Sequence, residues 1–554
     1  MAKYTIGVDF GTLSVRALIV DVANGREVAC ASFDYPHAVM TDQLSSGVPL
    51  QADWALQHPQ DYVDGLRAVV AESLKRSGVD AKDVIGVGID FTSSTSLPVD
   101  QNGCPLCLKT EFAADPYAWP MLWKHHAAQS YANRMTEVAF SRNEAFLERC
   151  GGRISSEMMF PRLWQIAVEA PEVYEAADRF VEAGDWIIHQ ITGSRACSVN
   201  PASYKLFWTE EEGYPSQAFW QELDPCLISV TSKVSDELLP LGSCAGRINA
   251  CGAALTGLRE GTPVSVTCID AHTALPAAGV TGGGKMLLIL GTSAAHLVLD
   301  RDKHDVKGIL CMAKDGMMPG WYAYEAGQSC CGDHFKWFVD QYIPAAYEEE
   351  AHRQGLSVHQ LLTAKAAKLR PGESGLLALD WWNGNRSVLM DSELSGMFLG
   401  MTLQTRPEEI YRALIEATAF GTRVIVENFE NSGIPIREIC VCGGIAKKNP
   451  LLMQIYADVL NRELRIVESD QANALGTAIF AAVAAGKNAG GYSSIAEAAH
   501  AMGGTGNRSY LPENENSRIY NALYAEYQKL HDYFGRCGNN VMRRLKTLQT
   551  AAKI

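Results

Sequence analysis

The sequence predicts a two-domain α/β protein, and three observations carry that prediction. At 554 residues the chain is too long for one hydrophobic core, so at least two domains are expected. Apolar, β-branched segments that end in Gly or Asp alternate with helical patterns, as α/β architecture requires. A glycine–hydroxyl turn occurs twice, each time after an apolar strand: Gly11-Thr12 after Tyr4 to Asp9, and Gly291-Thr292-Ser293 after Met286 to Leu290. Two such turns suggest two similar half-molecules gripping one polyphosphate, the layout of a nucleotide-dependent phosphotransferase or ATPase.

In chain order, the first strand runs into Asp9-x-Gly11-Thr12-x-Ser14-x-Arg16. Asp9 stands at its carboxyl end, where ligands collect in open α/β sheets. The run offers a carboxylate for a metal or its water and a glycine that lets backbone N–H groups approach an anion. It adds two hydroxyl donors and a guanidinium that can fork onto phosphate oxygens. The plainer alternative is a β-hairpin turn beside an unrelated Asp; the second turn at Gly291 favours phosphate binding. A helix is expected over Pro59–Ser77 and a strand over Val84–Phe91. A further strand, Val264 to Asp270, ends in a carboxylate followed by Ala271-His272. Asp270 suits a general base or metal anchor there, and equally a helix N-cap. The run Thr281-Gly282-Gly283-Gly284 is the best candidate for a hinge.

Beyond it, the strand Met286 to Leu290 leads into the second turn. A helix over Glu408 to Phe429 is signposted by Thr405 and Glu408 as a capping box, by Pro407 in its first turn, and by an Ile410, Leu414, Ala417, Gly421, Val424 stripe. The strand Glu438 to Cys442 opens into Gly443-Gly444 and, through Asn449-Pro450, a helix ending near Leu460. Paired glycines let a flat base or ribose lie against the backbone; a tight strand–helix turn explains them as well. Ala474 to Ala478 begins a small-residue helix expected to pack close to the same place. The tail, Asn516 to Leu548, reads as a solvated or docking helix.

Composition narrows the function. A net charge of −15 with no basic run argues against nucleic-acid binding. No stretch approaches the ~18 apolar residues of a membrane helix. The N-terminus offers no secretory pattern, so a cytoplasmic address is expected. The 15 cysteines do not form a disulfide framework. Cys104-x-x-Cys107 lacks a second pair at zinc spacing, and Cys440-Val441-Cys442 lies in a strand, so both read as reduced thiols. There is no G-x-x-x-x-G-K-[ST] and no G-x-G-x-x-G followed by an acid, which excludes a P-loop and disfavours a dinucleotide enzyme.

Taken together, these residues resemble the FGGY family of carbohydrate kinases over roughly the first 490 positions. The family's C-terminal signature is close to complete in Gly396-Met397-Phe398-Leu399-Gly400-Met401 with Glu409-Ile410 and Ala413 to Glu416, Leu414 being atypical. Its N-terminal signature is degraded around Phe160-Pro161-Arg162-Leu163-Trp164, where Arg replaces the usual Lys. Gly88 to Thr95, Leu122 to His126, Ser203 to Lys205, Tyr324 to Ser329 and Leu379 to Arg386 look most like members that phosphorylate ribulose. Glycerol and xylulose kinases usually show Trp-x-Asp-x-Arg at the second of these segments; here Lys124-His125 stand in place of the acid.

The resemblance implies a two-domain actin-like ATPase (ribonuclease H-like) α/β fold with an inter-domain cleft. Its halves would be residues 1–280, with the sugar site, first phosphate motif and catalytic Asp, and 281–554, with the second phosphate motif, adenosine motif and helical tail. It implies ATP and Mg²⁺ as cofactors, Asp270 as the catalytic base, and Asp9 with Asp270 near the metal. Asp9, Gly11, Thr12, Ser14 and Arg16 match the first phosphate motif, Gly291, Thr292 and Ser293 the second, and Gly443, Gly444 and Asn449 the adenosine motif. Ser93, Trp123, Lys205, Asp270 and Glu325 would touch the sugar. The implied reaction is transfer of the γ-phosphoryl group of ATP to the C5 hydroxyl of L-ribulose, with xylulose, D-ribulose or ribitol as alternative acceptors. A homodimer is a further expectation, family members often being dimers. The rival of another class is an actin-like or chaperone-type ATPase.

Overall fold

A computed structural model of the chain describes residues 2–235, 237–536 and 538–553. The chain folds into two compact units. The first takes the residues up to Thr281 with Met312–Ala323 and Gln471–Gly504; the second takes Gly282–Cys311, Tyr324–Asp470 and the residues from Thr505 onward. The strands used below are β1 (Tyr4–Phe10), β2 (Ser14–Asp21), β3 (Glu27–Asp34), β4 (Val84–Phe91), β5 (Cys244–Arg247), β6 (Pro263–Ser265), β7 (Cys268–Ile269), β8 (Lys285–Leu290), β9 (Ala294–Asp300), β10 (Tyr322–Gln328), β11 (Glu438–Cys442), β12 (Leu464–Val467) and β13 (Thr505–Tyr510). The helices are α1 (Pro59–Ser77), α2 (Met159–Glu169), α3 (Val199–Lys205), α4 (Asp270–Ala277), α5 (Pro407–Asn431), α6 (Pro450–Leu460), α7 (Ala472–Ala485) and α8 (Asn514–Gly535).

In the first unit the strands run β3-β2-β1-β4-β6-β5, with β7 also paired to β4. β1 is antiparallel to β2 and parallel to β4. β4 is buried along its whole length, as the apolar run Val84–Ile89 demands of a central parallel strand. α1 covers β2 and β3. It starts from His58, whose ring accepts the Gln60 N–H, and stops at Gly78 in the left-handed conformation. α7 lies on β1 and β4, at a distance only glycine permits. A Cβ on Gly7 would stand 1.8 Å from the Ala474 carbonyl oxygen, and one on Gly88 2.2 Å from that of Thr477. The expected strand Val264 to Asp270 is two short strands. Val264 pairs with Val87 and Cys268 with Asp90, so four steps on one strand meet three on the other. The extra residue bulges the strand there.

In the second unit the order is β10-β9-β8-β11-β12-β13. β8 is antiparallel to β9 and parallel to β11, the relations β1 has to β2 and β4. α5 extends the expected helix and corrects its start. Glu409, not Glu408, accepts the Arg406 N–H at 2.6 Å, while the Thr405 hydroxyl accepts the Thr402 N–H at 2.9 Å, bracing the turn before the helix. Its burial is not one stripe: residues 411–422 are buried on every side. The helix expected from Gly443 to Leu460 breaks at Asn449, whose side chain caps α6 by accepting the Leu452 N–H at 3.0 Å. α7 packs within the first unit, against β1, β4 and α4. The tail is two helices, α8 and Val541–Lys553. Among the described residues no helix is long and apolar enough to cross a membrane, and the cysteines are free thiols.

Candidate functional site

In the first unit three aspartates sit at the carboxyl ends of neighbouring parallel strands. Asp9 and Asp90 are register partners on β1 and β4. Asp270 follows β7, whose Ile269 is opposite Phe91. A β-hairpin joins β1 to β2, its Gly11 N–H donating to the Ser14 carbonyl at 2.9 Å. The hairpin alternative for this turn is therefore correct as geometry, and it brings Arg16 opposite Asp9, Nε to Oδ2 at 3.7 Å. Burial pushes the Asp9 carboxyl up and Arg16 pulls it back. Asp90 is pushed well above the usual carboxylate range, by burial first and by the charge of Asp9 next. Two adjacent buried carboxylates resist ionising together, and only Asp9 has a guanidinium beside it. Thr477 on α7 hydrogen-bonds Asp90 Oδ2, whereas Asp90 Oδ1 is buried without a hydrogen-bond partner. Clustered carboxylate oxygens, one of them unsatisfied, are hard donors of the kind a Mg²⁺ ion or its water shell takes.

Asp270 is the first residue of α4 and not its N-cap, which is Ile269. Its Oδ1 accepts the Ala271 N–H at 2.8 Å, at the positive end of the helix. Asn200 at the start of α3 braces this junction. Its Oδ1 accepts the Ile269 N–H at 2.8 Å, and its Nδ2 donates to the Gly316 carbonyl at 2.5 Å and to His272 Nδ1 at 2.9 Å. With the amide orientation fixed by its backbone partners, His272 must accept at Nδ1, so its proton is on Nε2. The His272 ring is 4.6 Å from that of Tyr204.

The sugar-binding candidates divide by unit. Ser93 is half-buried just past β4. Trp123 donates its indole N–H to Thr12 Oγ1 at 3.1 Å, so this candidate touches the first phosphate turn directly. Lys205 ends α3, and its charge acts on the buried Glu182. Glu325 is half-buried on β10 in the second unit. Asp380 and Gln328, from two of the ribulose-type segments, are buried together. Gln328 Nε2 donates to Asp380 Oδ2 at 2.8 Å, and Tyr527 of α8 donates to Oδ1 at 2.9 Å. They tie those segments into the core of the second unit.

In the second unit Gly291, Thr292 and Ser293 form the hairpin between β8 and β9, the Gly291 N–H donating to the Ser293 carbonyl at 3.0 Å. The N–H groups of Cys331 and Gly332 each donate to the Thr292 carbonyl at 2.9 Å, which fixes the turn from behind. Gly443 (φ 100°) is required where it stands, because a Cβ there would meet the Leu290 carbonyl oxygen at 2.2 Å. Gly444, by contrast, faces open space: a Cβ on it would meet nothing within 4 Å.

Sequence reasoning passed over Asp90 as a site residue. The signal was present, since it is an Asp at the end of an apolar strand, as Asp9 is. A second titratable group, His37, His58 and Asp61, also went unremarked. His37 Nδ1 is 2.7 Å from Asp61 Oδ1, and the two imidazoles stack 4.2 Å apart at 19°. One ligand atom from each of the three lies within 4.8 Å of the others.

The chain matches the model of the FGGY family of carbohydrate kinases, N-terminal domain, over residues 4–276, and the C-terminal domain of the same family over 286–485. It is 52% identical over 553 residues to a ribulokinase of Geobacillus thermodenitrificans, covering 100% of this chain and 98% of that one. It is 52% identical over 550 residues to a ribulokinase of Halalkalibacterium halodurans, covering 99% and 98%. Among solved structures, the xylulose kinase from Rhodospirillum rubrum matches with a TM-score of 0.77 at 24% identity, over 96% of this chain and 98% of that one. That likeness shows the fold, the two-domain actin-like α/β fold of the FGGY kinases.

Proposed function

The chain belongs to the FGGY family of carbohydrate kinases, and from that membership we propose that it transfers the γ-phosphoryl group of ATP to the C5 hydroxyl of L-ribulose, giving L-ribulose 5-phosphate. The observation that carries the reading is the set of three aspartates on adjacent strand ends, Asp9, Asp90 and Asp270. The substrate comes from the full-length likeness to ribulokinases at 52% identity.

Phosphoryl transfer asks for alignment and charge neutralisation more than for covalent chemistry. Asp270 accepts the hydroxyl proton as the C5 oxygen attacks; its Oδ1 is already oriented by the Ala271 N–H. Asp9 and Asp270 would hold a Mg²⁺ ion, with Asp90 beside them. When bound, that ion neutralises phosphate charge. Thr12, Ser14 and Arg16 contact phosphate oxygens. Thr12 accepts from Trp123, which leaves its own hydroxyl proton for such a contact. Ser93, Trp123 and Lys205 hold the sugar, and Glu325 is assigned the same task. In the second unit Gly291, Thr292 and Ser293 are assigned to phosphate, and Gly443, Gly444 and Asn449 to the nucleoside, with Gly444 presenting open backbone.

Incubating the protein with MgATP and each of L-ribulose, D-ribulose, xylulose and ribitol, with ADP release coupled to a readout and the product phosphate located by NMR, tests the reading. L-ribulose 5-phosphate is the expected product. Preference for another acceptor would overturn the substrate, and ATP hydrolysis indifferent to every sugar would point to an actin-type ATPase. Asp270→Asn should lower kcat by ~10²–10⁴ while leaving nucleotide affinity intact, the range typical of a positioned proton acceptor. A near-normal kcat would remove Asp270 from the role of base.

A further inference from the structure

The N-terminal family signature carries an arginine, Arg162, that the proposed reaction does not use, and its surroundings in the first unit are unusual. The side chain is fully buried on α2. Among the described residues its guanidinium has no carboxylate in contact. Its hydrogen bonds go to five backbone carbonyls: Nε to Ser156 at 3.2 Å, Nη1 to Ser94 and to Met121 at 3.0 Å, and Nη2 to Leu122 at 2.9 Å and to His125 at 3.3 Å. A guanidinium has five N–H donors, so each is used. Burial pulls its pKa down to about 10, still far above neutrality, so the group is charged at working pH.

The carbonyls it gathers flank the sugar-binding candidates. Ser94 adjoins Ser93 and holds the left-handed conformation at φ 56°, an uncommon state for serine that its surroundings must impose. Leu122 directly precedes Trp123, and His125 closes the turn that follows, its N–H donating to the Leu122 carbonyl at 2.9 Å. Trp123 in turn bonds Thr12. One side chain thus fixes the Ser93 loop against the Trp123 turn, and the second of these against the first phosphate motif.

We propose that Arg162 is a positioning residue for acceptor recognition: it sets the spacing of Ser93 and Trp123, and so the affinity for the ketopentose, without touching sugar or nucleotide. The inference rests on the assignment of Ser93 and Trp123 to the sugar. Lysine keeps the charge but brings three donors to five acceptors and cannot fork. It can reach at most three of the five carbonyls, and the loops the others belong to lose their fixed relation.

The test compares R162K and R162Q with S93A, W123F and a core control, F146L, which thins the apolar cluster that also holds Phe160 of α2. Steady-state KM for L-ribulose, KM for MgATP, kcat, MgADP affinity and Tm are measured for each. For R162K the ketopentose KM should rise ~10-fold or more, with kcat within ~3-fold and MgADP affinity within ~2-fold of the parent, the split expected when binding of one substrate is lost. F146L should lower Tm without that split, which separates positioning from general destabilisation. An unchanged ketopentose KM in R162K, while S93A and W123F raise theirs, would overturn the role of Arg162 alone. Unchanged values in S93A and W123F would instead overturn the sugar-site assignment. Failure of both Arg162 variants to accumulate as folded protein would overturn the proposal in favour of a purely structural arginine.

Discussion

A single buried carboxyl shows how much of this molecule is decided residue by residue. Glu182 is buried, one of its oxygens has no hydrogen-bond partner, and burial pushes its pKa up to about 7 against the pull of Arg162 and Lys205. In the unfolded chain the same group titrates near 4.5. Its folded pKa is the higher, so the folded state holds the proton more tightly across that interval. The stability it contributes is complete below the unfolded pKa and is lost as pH climbs through the folded one. Linkage puts that loss on the order of 3 kcal/mol between pH 4.5 and 8. Glu182→Gln keeps the shape and removes the titration. The difference in stability between parent and variant, followed by denaturant melts from pH 5 to 8, should therefore move in the variant's favour as pH rises. A difference that stays flat would show that Glu182 ionises at its ordinary pH. Nothing in the sequence singled out Glu182, because burial of a lone carboxyl depends on α2, the 92–95 loop and the sheet closing over it together. Asp9 and Asp270 stood out in the sequence because each ends an apolar strand. Asp90, at an identical station, was overlooked although it carries the same signal.

Elements were legible where a pattern is local, and misjudged where neighbours decide. α1 and β4 have the expected bounds, since a Pro start, a Gly stop and the apolar run Val84–Ile89 are written in the chain. The strand before Asp270 was expected whole; the bulge that splits it arises from its register against β4, which no local pattern records. α7 shows the same limit. Its small residues announced close packing, but the partner is a sheet face lined by Gly7, Gly86 and Gly88, together with α4. A Cβ on Gly476 would lie 1.7 Å from the Thr273 carbonyl oxygen of α4. Gly476→Ala must therefore push α4 aside, at a cost of about 2–3 kcal/mol in stability, typical of overpacking. Because α4 begins with Asp270, kcat should fall as well. Gly444→Ala has open space and should leave Tm within ~2 °C while raising the KM for MgATP, as a methyl added to open surface costs little stability. Equal Tm for the two variants would contradict the packing described for α7.

At the scale of the whole chain, the two units repeat one scheme: a strand, a glycine–hydroxyl hairpin, an antiparallel neighbour on one side and a parallel strand on the other. The repeated turn was enough to anticipate that repetition. It could not anticipate that the chain passes from unit to unit more than once, through Met312–Ala323 and Gln471–Gly504, because those crossings are set by long-range packing. The tail raises the same question in sharper form, since by sequence it could equally be solvated or docked. In the structure α8 is docked, with one face, Ser517, Tyr520, Tyr524, Tyr527 and His531, buried in the second unit. Tyr520 is fully buried, donates to Glu416 Oε1 at 2.9 Å and accepts from Arg412 Nη2 at 2.8 Å. Tyr527 satisfies Asp380, and Tyr524 donates to Glu427 at 2.7 Å with the Arg423 guanidinium over its ring at 4.1 Å. Ending the chain at Glu513 would uncover Phe420 and strip partners from Glu416 and Asp380, two carboxyls otherwise held inside the fold. Each would keep one partner, Arg412 and Gln328, but a lost hydrogen bond to a charged group costs about 1.5–3 kcal/mol, and two of them with the lost aromatic burial take a large share of a domain's stability. The truncated chain should accordingly aggregate on expression, or melt in two steps with the second unit unfolding first. A soluble truncation that melts in one step at the parent's Tm would return α8 to the status of a surface appendage.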